Sequence, residues 1–200
     1  MKTLLLLFLA GLLTLYSSGC ATVKKGSDVT GLARTTSLSG RDLGRLIILA
    51  RVANGEDTPN AAEKEITALA AATAVLTSLA TAVPVSRDGL LTALGERSWP
   101  DAGDMELTAA ARACGADTVA VLTVTEYVGK LQIGLPTLWG TETAFRYQLR
   151  VLDAATGTLL LDANRFRLRG GPFLCRGLDD LNADFQNDLI ELVRGDVAAS

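Results

Sequence analysis

Two hundred residues pass without a single histidine, and that absence removes whole classes of chemistry at the outset. Ser-His-Asp and Cys-His arrangements need an imidazole to take the nucleophile's proton, so neither can be built. Three cysteines without histidine do not make a usual zinc donor set, and no metal or other cofactor is expected. Aromatic residues are scarce, at 5% of the chain. Neither sign of charge dominates, with 19 basic residues against 22 acidic, so nothing in the balance calls for a nucleic-acid partner. A glycine loop of the kind that cradles phosphate after a strand is also missing.

What is present starts with an N-terminus unlike the rest of the chain. Lys2 supplies a positive start, Leu4 to Leu15 form an apolar run, and Ser17-Ser18-Gly19 places small residues before Cys20. Residues 1–19 read as a secretory signal peptide, too short and wrongly flanked for a transmembrane span. The Ser-Ser-Gly-Cys end resembles a bacterial lipobox, although Ser17 stands where leucine is usual. The resemblance implies cleavage before Cys20 and lipidation of its thiol and new amino group, palmitate included. Each buried methylene adds ~0.8 kcal/mol, so the acyl chains would form a stable membrane anchor. Ala21 after the cysteine implies, by likeness to proteobacterial lipoproteins, sorting to the outer membrane with the protein on its periplasmic face. Residues 20–41, rich in Ser, Thr, Gly and Lys, read as the lipidated cysteine and a flexible tether with a reach of roughly 25 Å.

Residues 42–200 are predicted to fold as one α/β domain, a mixed sheet of roughly five strands with helices packed on it. Its centre is Gly115 to Tyr127. There Thr118, Ala120, Leu122 and Val124 alternate with Val119, Val121, Thr123 and Thr125, and both sets suit a strand buried on two faces. Leu46–Val52 predicts the first strand. Thr58-Pro59 looks like a helix start, and a helix over Ala61–Ala80 is expected to bury Ile66, Leu69, Thr73, Leu76 and Ala80. The lack of charge from Ile66 to Ser86 raises a membrane reading, but the run is mostly Ala and Thr and includes Pro84, which favours a core helix. Val83-Pro84-Val85 suits an edge strand. Helices from Arg87 and over Met105–Cys114 follow, with a turn at Trp99-Pro100-Asp101 between them. Val128–Thr143 carries Gly129, Gly134, Pro136 and Gly140 and reads as irregular. Phe145, Tyr147, Leu149 and Val151 then alternate with Arg146, Gln148 and Arg150, a half-buried strand. A loop at Asp153–Gly157 leads to a return strand over Thr158–Arg169, whose apolar phase shifts between Ala163 and Phe166 and suggests a bulge near Asn164. A last helix aligns Leu181, Phe185, Leu189, Leu192 and Val193.

Three stretches, Val83–Arg97, Cys114–Glu126 and Leu149–Leu161, together resemble the periplasmic α/β domain of CsgG-like, FlgO-like and TolB-N-terminal-like envelope proteins. The resemblance covers about Leu46 to Val193. It implies roles in envelope assembly, secretion or maintenance rather than catalysis, and it transfers no catalytic residue. It also permits a homo-oligomeric ring. The fifteen residues Val128–Glu142, broken by proline and glycine, read as unable to supply the hairpin of a CsgG-type barrel.

The candidate sites follow from these assignments. Leu131, Ile133, Leu135, Leu138 and Trp139 are apolar residues in a loop, suited either to partner contact or to capping the core. Arg146, Arg150, Arg165, Arg167 and Arg169 cluster on the hairpin, either as a solvated sheet face or as a surface for anionic headgroups or an acidic partner. The acids of the last helix, Asp179, Asp180, Asp184, Asp188 and Glu191, read as its solvated face. Asp180, Asn182, Asp184 and Glu191 also match a calcium-loop spacing, but Phe185 occupies the glycine position and belongs to the helical stripe. Cys114 and Cys175 could form a disulfide contributing about 4 kcal/mol, or remain free thiols. The leading expectation is a non-catalytic, lipid-anchored protein that binds another envelope component. The alternative is a hydrolase of envelope material acting through Asp101, Asp104 and Glu106, residues that equally suit a helix start.

Overall fold

A computed structural model describes residues 22–26, 37–53, 60–95, 99–134, 138–170 and 175–195. In chain order the elements are β1 (Thr22–Gly26), β2 (Asp42–Val52), α1 (Ala61–Leu79), β3 (Thr81–Pro84), α2 (Asp88–Leu94), a 3-10 turn (Trp99–Asp101), α3 (Asp104–Ala113), β4 (Thr118–Gly134), β5 (Leu138–Asp153), β6 (Leu159–Gly170) and α4 (Leu178–Arg194). They form one open mixed sheet of order β1-β6-β5-β4-β2-β3 with four α-helices packed on it. β2 runs parallel to both β3 and β4, and every other pairing is antiparallel. Five strands come from the expected α/β domain. The sixth, β1, comes from the stretch read as a tether and pairs Thr22↔Gly170 through Gly26↔Phe166.

β4 separates two cores, as its alternation predicts. Ala120, Leu122 and Val124 join the larger core beneath α1 and α4, while Val119 and Val121 join a smaller one with Leu90 of α2 and Leu107, Ala110 and Ala111 of α3. Thr118, only 4% exposed, satisfies its hydroxyl by donating to the Leu43 carbonyl oxygen at 2.8 Å. Pro84 closes β3 at the sheet edge, where its missing N–H costs no ladder bond. Ser37 and Leu38 cross the C-terminal end of α4, where the Leu38 and Ser39 amides donate to the Val193 carbonyl. Gly195 caps that helix at φ 79°, and a Cβ there would lie 2.9 Å from the Ser37 Cβ, so glycine serves both the left-handed turn and the close approach.

Four expectations are corrected. Of the face expected on α1, Leu76 and Ala80 are buried and Leu69 packs against the core, but Ile66 is 72% exposed and Ala61, Ala68, Ala72 and Val75 fill the inner face with them. An Ala- and Thr-rich helix has a weak hydrophobic phase, and small residues win the inner face because they let helix and sheet approach closely. Its N-cap is Asn60 in the left-handed region; Thr58 and Pro59 lie outside the described residues. The bulge expected near Asn164 is absent, and β6 keeps strict alternation from Leu161 to Arg167; the irregularities fall at Thr125 and at the start of β6. Val128–Thr143 is not irregular. β4 and β5 stay paired from Val128↔Ala144 to Gly134↔Leu138, and Leu135–Thr137 lie outside the described residues. A ribbon carried past its neighbouring strands need not bury one face, so its sequence shows no alternation. No helix among the described residues is long and apolar enough to cross a membrane.

Candidate functional site

The arginines divide between the two faces of the sheet. On β6, Arg165, Arg167 and Arg169 fall at every second position and face α4 together with Phe145 and Tyr147 of β5. Arg165 and Arg167 are only 6% and 5% exposed, and Asp184 and Asp188 of α4 are 7% and 1% exposed. Arg165, Arg167, Asp184 and Asp188 are therefore buried where a solvated face was expected, while Arg146, Asp179 and Asp180 are exposed as expected. Phase explains it: Asp184, Asp188 and Glu191 repeat at helical spacing beside Leu181, Phe185, Leu189 and Leu192, and the burial stripe is wide enough to include two acids.

The charges pair as burial requires. Arg167 Nη2 lies 3.0 Å from Asp188 Oδ1 and 3.6 Å from Glu191 Oε2, with Nη1 3.9 Å from Asp184 Oδ1. Arg169 reaches Asp184 Oδ1 at 2.8 Å, and Arg176, from the segment leading into α4, reaches Oδ2 at 2.6 Å. The Tyr147 hydroxyl donates to Asp188 Oδ2 at 2.8 Å. Burial pushes the Tyr147 pKa well up, the Asp188 charge and the hydrogen bond to it add to this, and Arg165 and Arg167 oppose it. Nε of Arg165, Arg167 and Arg169 finds no hydrogen-bond acceptor among the described residues. Phe185 meets Tyr127, Phe145 and Tyr147 edge-on at 5.5, 5.5 and 5.2 Å, so the ion pairs border an aromatic cluster. Tyr127 also bonds Asn182 of α4, and its pKa is raised by burial. The chemistry of this seam is that of a clamp holding α4 to the sheet.

The opposite face is open where α2 and α3 do not reach. Thr123, Thr125, Arg146, Gln148 and Asn164 line a cleft of about 260 Å³ there, and Tyr147 and Arg165 reach its floor. The Arg146 side chain is about half exposed, sits over the Phe166 ring at 5.2 Å and has Glu126 at 4.0 Å. Gln148 Nε2 donates to Asp162 Oδ1 at 2.9 Å. Arg150 is paired with Asp104 at the start of α3, and Glu106 accepts the Gly103 N–H at 3.0 Å to cap that helix. Asp101 is exposed in the 3-10 turn. Two of the three acids weighed for hydrolysis thus serve an ion pair and a helix cap.

Cys114 and Cys175 are both free thiols in the structure. Cys114 packs on the α2–α3 side of the sheet, whereas Cys175 is exposed next to Arg176, which binds on the α4 side. Leu131 is 64% exposed. The side chains of Ile133, Leu138 and Trp139, and the whole of Leu135 and Cys20, lie outside the described residues. Tyr147, Asp184, Asp188 and Arg176 escaped the sequence reading as members of one site. The signal was there in arginines at spacing two on a strand and acids at spacing four and three on a helix.

No protein-family model matches the chain, and no curated protein matches it. Solved structures similar to it include a PelC dodecamer from Paraburkholderia phytofirmans, 15% identical, covering 87% of this chain and 98% of that one at a TM-score of 0.46. They include lipoprotein GNA1162 from Neisseria meningitidis, 18% identical over 78% of this chain and 99% of that one, TM-score 0.48. The LpoB C-terminal domain from Escherichia coli is 17% identical over 69% of this chain and 86% of that one, TM-score 0.39. These identities and TM-scores carry no property of those proteins to this chain.

Proposed function

We propose that this chain is a lipid-anchored protein of the bacterial envelope that acts by binding another envelope component, without catalysis. The observation that carries the reading is the order of the N-terminus: Lys2, the apolar run Leu4–Leu15, then Ser17-Ser18-Gly19-Cys20. The three stretches that resemble CsgG-like, FlgO-like and TolB-N-terminal-like domains support an assembly or secretion role on the periplasmic face of the outer membrane. They fall on β3–α2, the first half of β4 and the β5–β6 hairpin. The lack of histidine supports the absence of a nucleophile–base pair. The contact surface we assign is the open sheet face around Thr125 and Arg146. Arg167 is withdrawn from it, because it is buried against Asp188 of α4.

Metabolic labelling with a palmitate analogue tests the anchor. Wild type takes up label and the Cys20→Ala variant does not; no incorporation into wild type removes the reading. A photo-crosslinking residue at Thr125, used in intact cells, is expected to give one discrete adduct that weakens when Arg146 becomes Glu.

A further inference from the structure

The sheet register fixes where the anchor leaves the domain. Thr22 of β1 is level with Gly170 of β6, which is level with Glu142 of β5. β1 and β5 flank β6, so their backbones run roughly 10 Å apart at this end. From Gly26 back to Thr22 the chain heads in the direction in which β6 ends and in which β5 runs back towards Leu138. Ala21 alone separates Thr22 from Cys20, and two residues span at most about 7 Å. The β4–β5 ribbon passes beyond the last residue of β6 on the same side: from Glu142 to Leu138 is four residues, or about 13 Å of strand.

From this geometry we propose that the tip of the ribbon, residues 131–134 and 138–139, is a second membrane contact that rests in the headgroup region beside the acylated Cys20. The proposal rests on the anchor reading above. Within residues 131–141 there is no charged side chain, while Leu131, Ile133, Leu138 and Trp139 are apolar and Lys130 and Glu142 bound the stretch. Leu131 is already exposed to the outside of the fold. Tryptophan and aliphatic residues partition to the bilayer interface, and lysine at the margin suits anionic headgroups. The ribbon rests on the membrane and does not span it. Crossing takes about 9–11 residues per strand, and two strands with open edges would leave unpaired amides in hydrocarbon. A bilayer is the occupant that the short reach from Thr22 to Cys20 favours, because an acylated residue at most two residues beyond Thr22 brings the ribbon to the headgroups without any partner.

The test uses the full mature protein isolated from membranes, carrying Trp99→Phe so that Trp139 is the remaining tryptophan, and reconstituted into phosphatidylethanolamine–phosphatidylglycerol vesicles. Intact mass on the same sample reports acylation. Acylated protein whose Trp139 emission shifts to the blue and is lost to lipids with a doxyl group high on the acyl chain supports the proposal. In the matching Trp139→Phe protein, Trp99 should keep its emission. Acylated protein with Trp139 unquenched overturns the ribbon contact and leaves the anchor standing, as it would if a protein partner covered the ribbon instead. Unacylated protein with Trp139 quenched overturns the anchor and supports the ribbon. A sample neither acylated nor quenched overturns both.

Discussion

Arg167 and Asp188 face each other at 3.0 Å with almost no solvent on either, and such a pair is far more costly to break than to replace. Asp188→Ala leaves the Arg167 charge buried beside the Phe145 ring and removes the acceptor of the Tyr147 hydroxyl. The expected loss is about 3–5 kcal/mol, read as a lower urea midpoint at unchanged slope. Arg167→Met combined with Asp188→Leu should recover part of it, because the Arg167 charge is then no longer stranded while the Tyr147 hydroxyl still lacks its acceptor. Tyr147 supplies a pH signature at the same place. Its folded pKa lies above the unfolded value, so its contribution is fully present below the ordinary tyrosine pKa of 10.0 and is lost as pH rises through the folded value. Unfolding free energy followed upward from pH 9 should decline more steeply in wild type than in Tyr147→Phe. Equal slopes would show that the tyrosine does not feel this environment.

The helices and strands divide into those whose residues announce their faces and those whose residues do not. β4 was legible because small and β-branched apolar residues occupy both of its phases, which only a doubly covered strand tolerates. α4 was legible from Leu181, Phe185, Leu189 and Leu192, large residues that leave no doubt about phase. α1 carries the same information in alanines, which hardly distinguish core from surface by hydropathy. Ala72→Leu, 1% exposed on its inner face, should overpack the larger core and cost about 1–3 kcal/mol, while Ile66→Lys should stay within about 0.5 kcal/mol of wild type. Thermal unfolding of the two variants checks the phase directly. β6 misled for another reason. Arginine in an inward position looks like an outward residue until its acid is placed opposite, and the acids lie on a helix some twenty residues away in sequence. The ion-pair seam was thus present in the sequence as two separate charge patterns, each of which reads as a solvated face when taken alone.

At the scale of the molecule, β1 decides how the domain stands relative to its N-terminus. The stretch around it reads as a tether because its composition lacks periodicity, yet a five-residue edge strand needs little periodicity when the neighbouring strand offers it a complete row of amides and carbonyls. The pairing covers one edge of the sheet and converts a loose connection into a fixed point of departure. Proline at both Lys24 and Lys25 removes the N–H in either phase of an antiparallel ladder, so at least one bond to β6 must go. Hydrogen exchange on that variant should quicken at Phe166–Gly170 and leave Thr118–Val124 as slow as in wild type, because β4 is held between β2 and β5 and does not touch β1. Unaltered exchange in β6 would mean that β1 is not seated in solution, and Cys20 would then sit at the end of a chain long enough to let the domain turn away from the bilayer. Faster exchange confined to β6 would mean that a short edge strand, and not the linker's length, sets the distance and direction of the anchor.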